Sequence, residues 1–303
     1  MASALSAKHF HDEAAAFAFV EARVWANGPV CPHCGGVERI SKMAGKSTRQ
    51  GLYKCYQCRK PFTVRIGTIF EASHVGLHLW LQAMYLIAAS KKGVSSNQLG
   101  RILGVTLKTA WFMSHRIREA MRSGDLAPFG SGGGAVEVDE TFIGRKKGMA
   151  VKGAYHHKMA VLGLIDRETG RARFFHVEKA SGALIQPIVR ENLSREARLM
   201  TDESMIYRKV GREFAEHSAV HHYANEYVRG DVTTNTVEGA FSIFKRGMKG
   251  VYQHCSEAHL HRYLAEFEFR YSNRAALGIN DAERADTLLR GVVGKRLTYQ
   301  TAH

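Results

Sequence analysis

Four cysteines in two Cys-x-x-Cys pairs, Cys31-Pro32-His33-Cys34 and Cys55-Tyr56-Gln57-Cys58, constrain this chain more than any other feature. Twenty residues separate the pairs. Each pair is a short knuckle that offers two thiolates, and two knuckles at this spacing suit one tetrahedral zinc ion. Disulfide frameworks belong to small secreted chains. This sequence has 303 residues, and Met1 to Asp12 shows no basic stretch followed by an apolar one, so no secretory signal is expected. Gly35-Gly36 and Arg59-Lys60 follow the knuckles and leave room for backbone N–H groups to approach the sulfurs. One structural Zn²⁺ held by Cys31, Cys34, Cys55 and Cys58 is therefore expected.

Charge gives the partner class. Lys and Arg number 43 against 28 acids, a formal net charge of +15. Such a field attracts polyanions and releases counterions on meeting phosphate, which points to nucleic acid. The longest apolar stretch, Leu79 to Ala89, includes Gln82 and is too short to cross a bilayer. No membrane partner and a cytoplasmic location are expected.

Residues 8 to 27 carry an apolar stripe (Phe10, Ala14, Phe17, Val20) at helical spacing. After the second knuckle, Lys60 to Arg65 alternates as a strand that closes a zinc ribbon. Gly76 to Lys91 is helical again. Val94 to Thr106 then predicts a short helix ending at Gly104 and a tight turn at Val105, with a second helix from about Thr106. This is a helix-turn-helix layout, in which the second helix is expected to present Lys108, His115, Arg116 and Arg118 to DNA. The domain reading is an N-terminal helix and ribbon over 1–70 and a helical DNA-binding domain over 71–122. A Gly-rich linker over 123–134 leads to a catalytic domain over 135–303, whose last helices pack on its sheet.

Beyond the linker, Ala135 to Gly144 alternates as a strand with Val136 and Val138 on one face and Glu137, Asp139 and Thr141 on the other. Strands follow at Lys158 to Ile165 and Ala172 to Val177, then a helix from about Ala180 to Leu193, and a short strand, Ala197 to Asp202. A three-strand meander followed by alternating helix and strand is the order of a ribonuclease-H-like fold. Phosphoryl transfer with two metal ions needs carboxylates from different elements that converge on a Mg²⁺ pair. Asp139 and Asp202 lie on strands expected to be neighbours, and a later helix supplies Glu238. On it Val237, Phe241, Phe244 and Met248 follow core spacing, while Asn235, Glu238, Ser242 and Lys245 share the polar face. Taken singly, Asp202 also fits a helix N-cap, and Glu238 fits a capping box with Asn235.

At this point the chain resembles the IS1595 group of bacterial insertion-sequence transposases, with an ISXO2-like transposase domain and a zinc-ribbon N-terminus. The motifs that carry the likeness are the Cys-Pro-x-Cys knuckle, Val138 to Gly144, Thr201-Asp202-Glu203, and Asn235 to Gly239 running on to Lys245-Arg246-Gly247. Leu264 to Ser272 and Gly294 to Tyr299 complete the set. The resemblance implies a DDE transposase that binds the terminal inverted repeats of its element in double-stranded DNA, cuts with divalent metal, and joins the 3′ end to target DNA. It implies Asp139, Asp202 and Glu238 as ligands of two Mg²⁺ or Mn²⁺ ions, with Lys245 as the lysine seven residues beyond. Asn235 is the alternative third ligand, because members of the group use Glu or Asn there. A homo-oligomer and a bacterial, nucleoid-associated location also follow.

The expected fold class is multidomain α+β: a zinc ribbon and helix-turn-helix, followed by a ribonuclease-H-like α/β catalytic domain with a mixed sheet and C-terminal helices. Two rivals remain at this level. One is a zinc-ribbon DNA-binding regulator with a catalytically silent domain, and the other a ribonuclease-H-like nuclease without strand transfer.

Overall fold

The computed structural model describes residues 3–122, 124, 127–151, 153 and 155–298. Ser123, Asp125 and Leu126 of the predicted linker, and Tyr299 of the C-terminal motif, lie outside the described residues. The chain divides into two units, Met1–Arg122 together with Ile279–His303, and Ser123–Gly278.

In the first unit, α1 (Glu13–Val24) starts at Asp12, whose carboxylate accepts from the Ala15 N–H at 2.7 Å. Three short antiparallel strands form the ribbon in the order β1 (Ile40–Lys42), β2 (Tyr53–Cys55), β3 (Pro61–Phe62). Trp25, Tyr53 and Phe62 pack against one another beside the cysteines. Helix α2 (Leu77–Ala89) is apolar nearly all round and buries Leu77, Trp80, Leu81, Ala83, Met84, Ile87 and Ala88. A helix of that kind must be covered on several sides. Helices α3 (Ser96–Leu103) and α4 (Leu107–Met121) follow, capped by the Ser95 and Thr106 side chains. Gly104 joins them at φ +65°, a left-handed turn open to glycine without strain.

In the second unit, β4 (Ala135–Ile143), β5 (Met159–Asp166) and β6 (Ala172–Val177) form an antiparallel meander. Helix α5 (Gly182–Asn192) leads to β7 (Arg198–Thr201), which pairs parallel to β4. The short α6 (Arg208–Gly211) precedes β8 (Glu216–Ala219), which is parallel to β7. The five-stranded mixed sheet has the order β6-β5-β4-β7-β8. A two-stranded ribbon, β9 (Val228–Arg229) and β10 (Val232–Thr233), leads into α7 (Asn235–Gly247), and α8 (Glu257–Ser272) follows. Val136, Val138, Leu162 and Leu164 bury one face with Ile185, Val189 and Tyr207. Val161 and Ile165 bury the other with Val237, Phe241 and Phe244 of α7 and Leu264 and Phe267 of α8. Because both faces are covered, all eight residues of β5 are buried.

Two boundaries differ from the sequence reading. Phe129, read as linker, is only 4% exposed and belongs to the core of the second unit. Its N–H donates to Asn192 O at 2.8 Å, and its carbonyl accepts from Ser194 N at 2.8 Å. The last helix, α9 (Asp281–Arg290), packs with α1, α2 and α4 in the first unit instead of on the catalytic sheet. The cause is the exposed side of α2: α9 brings Leu288 and Leu289 to it, and Arg284 donates to Ala88 O at 3.2 Å near its end. Each such buried leucine is worth roughly 1.5–3 kcal/mol. No described helix is long and apolar enough to cross a membrane.

Candidate functional site

The parallel ladder of β4 and β7 sets the candidate active site. Ala135, Val136 and Glu137 pair with Arg198, Leu199 and Met200. Continued by two residues, the same register sets Asp139 level with Asp202, which immediately follows β7. Neighbouring strands lie about 4.8 Å apart, so the two carboxylates start from adjacent Cα positions on one face. On β5, the residue opposite Asp139 is Gly163. A Cβ there would come within 2.7 Å of the Phe241 ring and 3.1 Å of Val237, so the missing side chain lets α7 lie directly on the sheet.

A cleft of about 680 Å³ results, lined by Asp139, Glu140, Glu238, Ser242, Lys245 and Lys249 among others. Asn235 sits exposed at the start of α7 and is not part of its lining. Glu238 is held by the Thr234 hydroxyl, which donates to its Oε1 at 2.7 Å, with His222 Nε2 at 3.6 Å.

The cleft is electrostatically crowded. Burial, then the charges of Glu140 and Asp202, push the Asp139 carboxyl up to about 8, against the Glu140 N–H that donates to it at 2.7 Å. Burial pushes Glu140 up to about 7, opposed by the Tyr207 hydroxyl that donates to Oε1 at 2.6 Å. Burial also raises Asp202, with Glu203 and Glu238 adding to it. Burial lowers Lys245, against the charge of Asp139. Several carboxylates that cannot all ionise comfortably fit hard divalent cations, whose preferred donors are oxygens. Among the described residues, Asp139, Asp202 and Glu238 do not bring three ligand atoms within 4.8 Å, and the four cysteines do.

The four sulfurs form the second site. Cys31 and Cys58 Sγ lie 3.6 Å apart, and Cys34 and Cys55 Sγ 3.7 Å apart. A disulfide needs about 2.05 Å, whereas the edge of a tetrahedron with Zn–S bonds of about 2.3 Å is about 3.8 Å. The knuckles are shaped for this: Gly35 and Arg59 adopt φ +73° and +63°, and Cys31 N donates to Gly36 O at 2.9 Å. The cluster fits one structural zinc.

The helix-turn-helix residues divide. Lys108 is exposed near the start of α4, beside exposed Leu107. His115, Arg116 and Arg118 are 0%, 5% and 0% exposed, so α4 does not present them to a partner. Arg116 instead donates to the carbonyls of Ile69 and Glu71, each at 2.7 Å, and of Leu297 at 3.1 Å. The sequence could not show that this side of α4 is covered by segments far away in the chain.

Comparison with known proteins decides the family. Residues 132–272 match the ISXO2-like transposase domain, and residues 11–61 match the transposase zinc-ribbon domain of the same IS1595 group. The chain belongs to the IS1595 transposases. A relative from Halobacterium salinarum, described as an uncharacterized protein in transposable element ISH50, is 28% identical over 262 residues, which make up 81% of this chain and 86% of the relative. One chain in the cryo-EM structure of the simian T-cell lymphotropic virus intasome in complex with PP2A regulatory subunit B56 gamma overlaps 63% of this chain and 65% of its own length. It does so at 11% identity and a TM-score of 0.29, too weak a likeness to bear on the fold.

The sequence reading gave no role to three polar residues of the transposase domain near this cleft: Glu137, Glu140 and Tyr207. Glu137, placed by its alternation on the Asp139 face but given no role, is fully buried. Glu140, on the side of the strand opposite Asp139, is bound by Tyr207. An acid next to Asp139 was the only sequence signal for Glu140.

Proposed function

We propose that this transposase is of the DDE type. It binds the terminal inverted repeats of its own element in double-stranded DNA, cleaves at the element ends, and transfers the 3′ hydroxyl to target DNA. The observation that carries this reading is the β4–β7 register, which brings Asp202, just past β7, beside Asp139, while Asp139 lines a cleft together with Glu238 and Lys245. Asp139, Asp202 and Glu238 are the residues to hold two Mg²⁺ or Mn²⁺ ions. Bound there, the ions supply an activated water or 3′ hydroxyl and neutralise charge at the reacting phosphate.

The chain's own groups do the rest. Lys245, two turns along α7 from Glu238, grips the DNA backbone beside the scissile phosphate. Glu238 is preferred to Asn235 as the third acid because it lines the cleft and Asn235 does not. Lys108, at the exposed start of α4, contacts DNA, while the ribbon, braced by one Zn²⁺, contributes to end recognition. The net charge of +15 adds backbone attraction that weakens with salt. Two element ends must be held together, which a homo-oligomer achieves.

The test is incubation of the purified protein with Mn²⁺ or Mg²⁺ and labelled DNA that carries the inverted repeats flanking its gene, beside the Asp139→Ala variant. Nicks at the repeat ends and joined products from the wild type alone are expected. Specific binding without cleavage by either protein overturns the reading in favour of a regulator, and cleavage without joining in favour of a simple nuclease.

A further inference from the structure

Glu137 stands out among the acids of the second unit because it is fully buried yet saturated with donors. It sits on β4 two residues before Asp139, its side chain on the same face of the strand. Its Oε2 accepts from the backbone N–H groups of Thr236 at 2.8 Å and Val237 at 2.9 Å. Its Oε1 accepts from the Thr236 hydroxyl at 2.7 Å and from Arg167 Nε at 2.6 Å. Arg167 in turn donates to the carbonyls of Asp231 at 2.6 Å and Thr233 at 3.0 Å, in the segment that leads into α7.

This arrangement replaces an ordinary helix cap. The first N–H groups of a helix need an acceptor, which usually comes from the N-cap side chain. Thr234, at the N-cap of α7, makes no such bond, and its hydroxyl goes to Glu238 instead. The cap is supplied by a strand residue about a hundred positions earlier. The positive end of the helix and Arg167 together balance the buried charge. Glu238 is the residue after Val237, so the bonds that fix Val237 N–H fix the start of the turn that carries Glu238. One carboxylate therefore sets how far the strand of Asp139 lies from the helix of Glu238.

We propose that Glu137 is a positioning residue of the transposase site: it holds α7 to β4 so that Glu238 and Asp139 share the metal ions. The proposal rests on the metal-dependent DDE reading above. A buried carboxylate that only stabilised the fold would, once removed, lower stability and leave the metal requirement of the folded protein unchanged. A positioning residue acts on the metal requirement and the chemical step.

The experiment uses the full chain and compares wild type, Glu137→Gln and Thr236→Val. Thr236→Val is the milder change, removing one side-chain bond to Glu137 and leaving the backbone cap. For each protein the thermal midpoint, binding of element-end DNA, Mn²⁺ titration by electron paramagnetic resonance, and single-turnover cleavage against Mg²⁺ and Mn²⁺ are measured. For folded variants, DNA affinity should stay near wild type while Mn²⁺ binding weakens and cleavage falls by about tenfold to a hundredfold, as small misplacements of reacting groups do. The more tolerant Mn²⁺ should recover more activity than Mg²⁺. If Glu137→Gln does not fold, Thr236→Val decides by the same measurements. Wild-type Mn²⁺ binding and cleavage in a folded variant overturn the proposal. Failure of the wild type itself to bind Mn²⁺ or cleave overturns the DDE reading, a separate result.

Discussion

Asp139 of β4 and Asp202, one residue beyond the end of the neighbouring parallel strand β7, lie close enough for the charge of Asp202 to act on the Asp139 carboxyl. Asp139 pays for that neighbourhood in ionisation, its carboxyl pushed up to about 8 by burial and nearby acids. The folded state therefore favours the protonated form. Its stabilising contribution is full below the ordinary carboxyl value and is lost as pH rises through about 8. Asp139→Asn keeps a neutral group, so without divalent metal it should be more stable than wild type at pH 8.5, by up to a few kcal/mol. The gap should close towards pH 4. Mn²⁺ should raise the wild-type melting temperature and leave the variant unmoved. Melting curves across pH, with and without Mn²⁺, check this, and an equal response of both proteins to Mn²⁺ removes Asp139 from the metal site.

Gly163 is the opening through which α7 reaches the sheet. Gly163→Ala brings a methyl into the Phe241 ring and should cost about 1–3 kcal/mol as overpacking. It should also slow cleavage, because Val237 and Phe241 flank Glu238 on α7. Adding Phe241→Leu should recover part of the stability. Chemical denaturation of the single and double variants measures both effects.

The ribbon should hold one zinc per chain. Cys55→Ser removes a buried ligand and should lower the zinc content, measured by mass spectrometry of the metal. Chelation should lower the melting temperature of the first unit and weaken DNA binding together. Full zinc content in Cys55→Ser would contradict a four-thiolate site.

Basic residues on α4 should separate by burial. Lys108→Ala should leave stability near wild type and reduce the salt dependence of DNA binding by about one unit of slope. Arg116→Ala strips donors from three carbonyls and should cost about 1–3 kcal/mol in stability. Denaturation and salt titrations of both variants tell these effects apart.

What could be read beforehand depended on distance along the chain. The knuckles were legible because each pair of ligands is local and backbone geometry repeats around them. Strand β4 and helix α7 were legible because Val136 and Val138 keep a period of two, and Val237, Phe241 and Phe244 a helical one. Glu137 was not, since alternation alone put it on a polar face, and that face is covered by a helix about a hundred residues later. Arg116 and Arg118 looked like a basic surface for the same reason: what covers them is remote. Leu288 and Leu289 gave no local sign that their helix would cover α2.

The placement of α9 also bears on synthesis. Until residues 281–290 have been made, residues 3–122 lack the helix that covers α2, whereas every strand of the five-stranded sheet exists once Ala219 has been added. The second unit is complete in sequence before α9 is made, and the first unit waits for the final codons. A chain that stops short of α9 lacks Leu288 and Leu289 beside α2, so truncated copies of this transposase would expose apolar surface that the full chain buries.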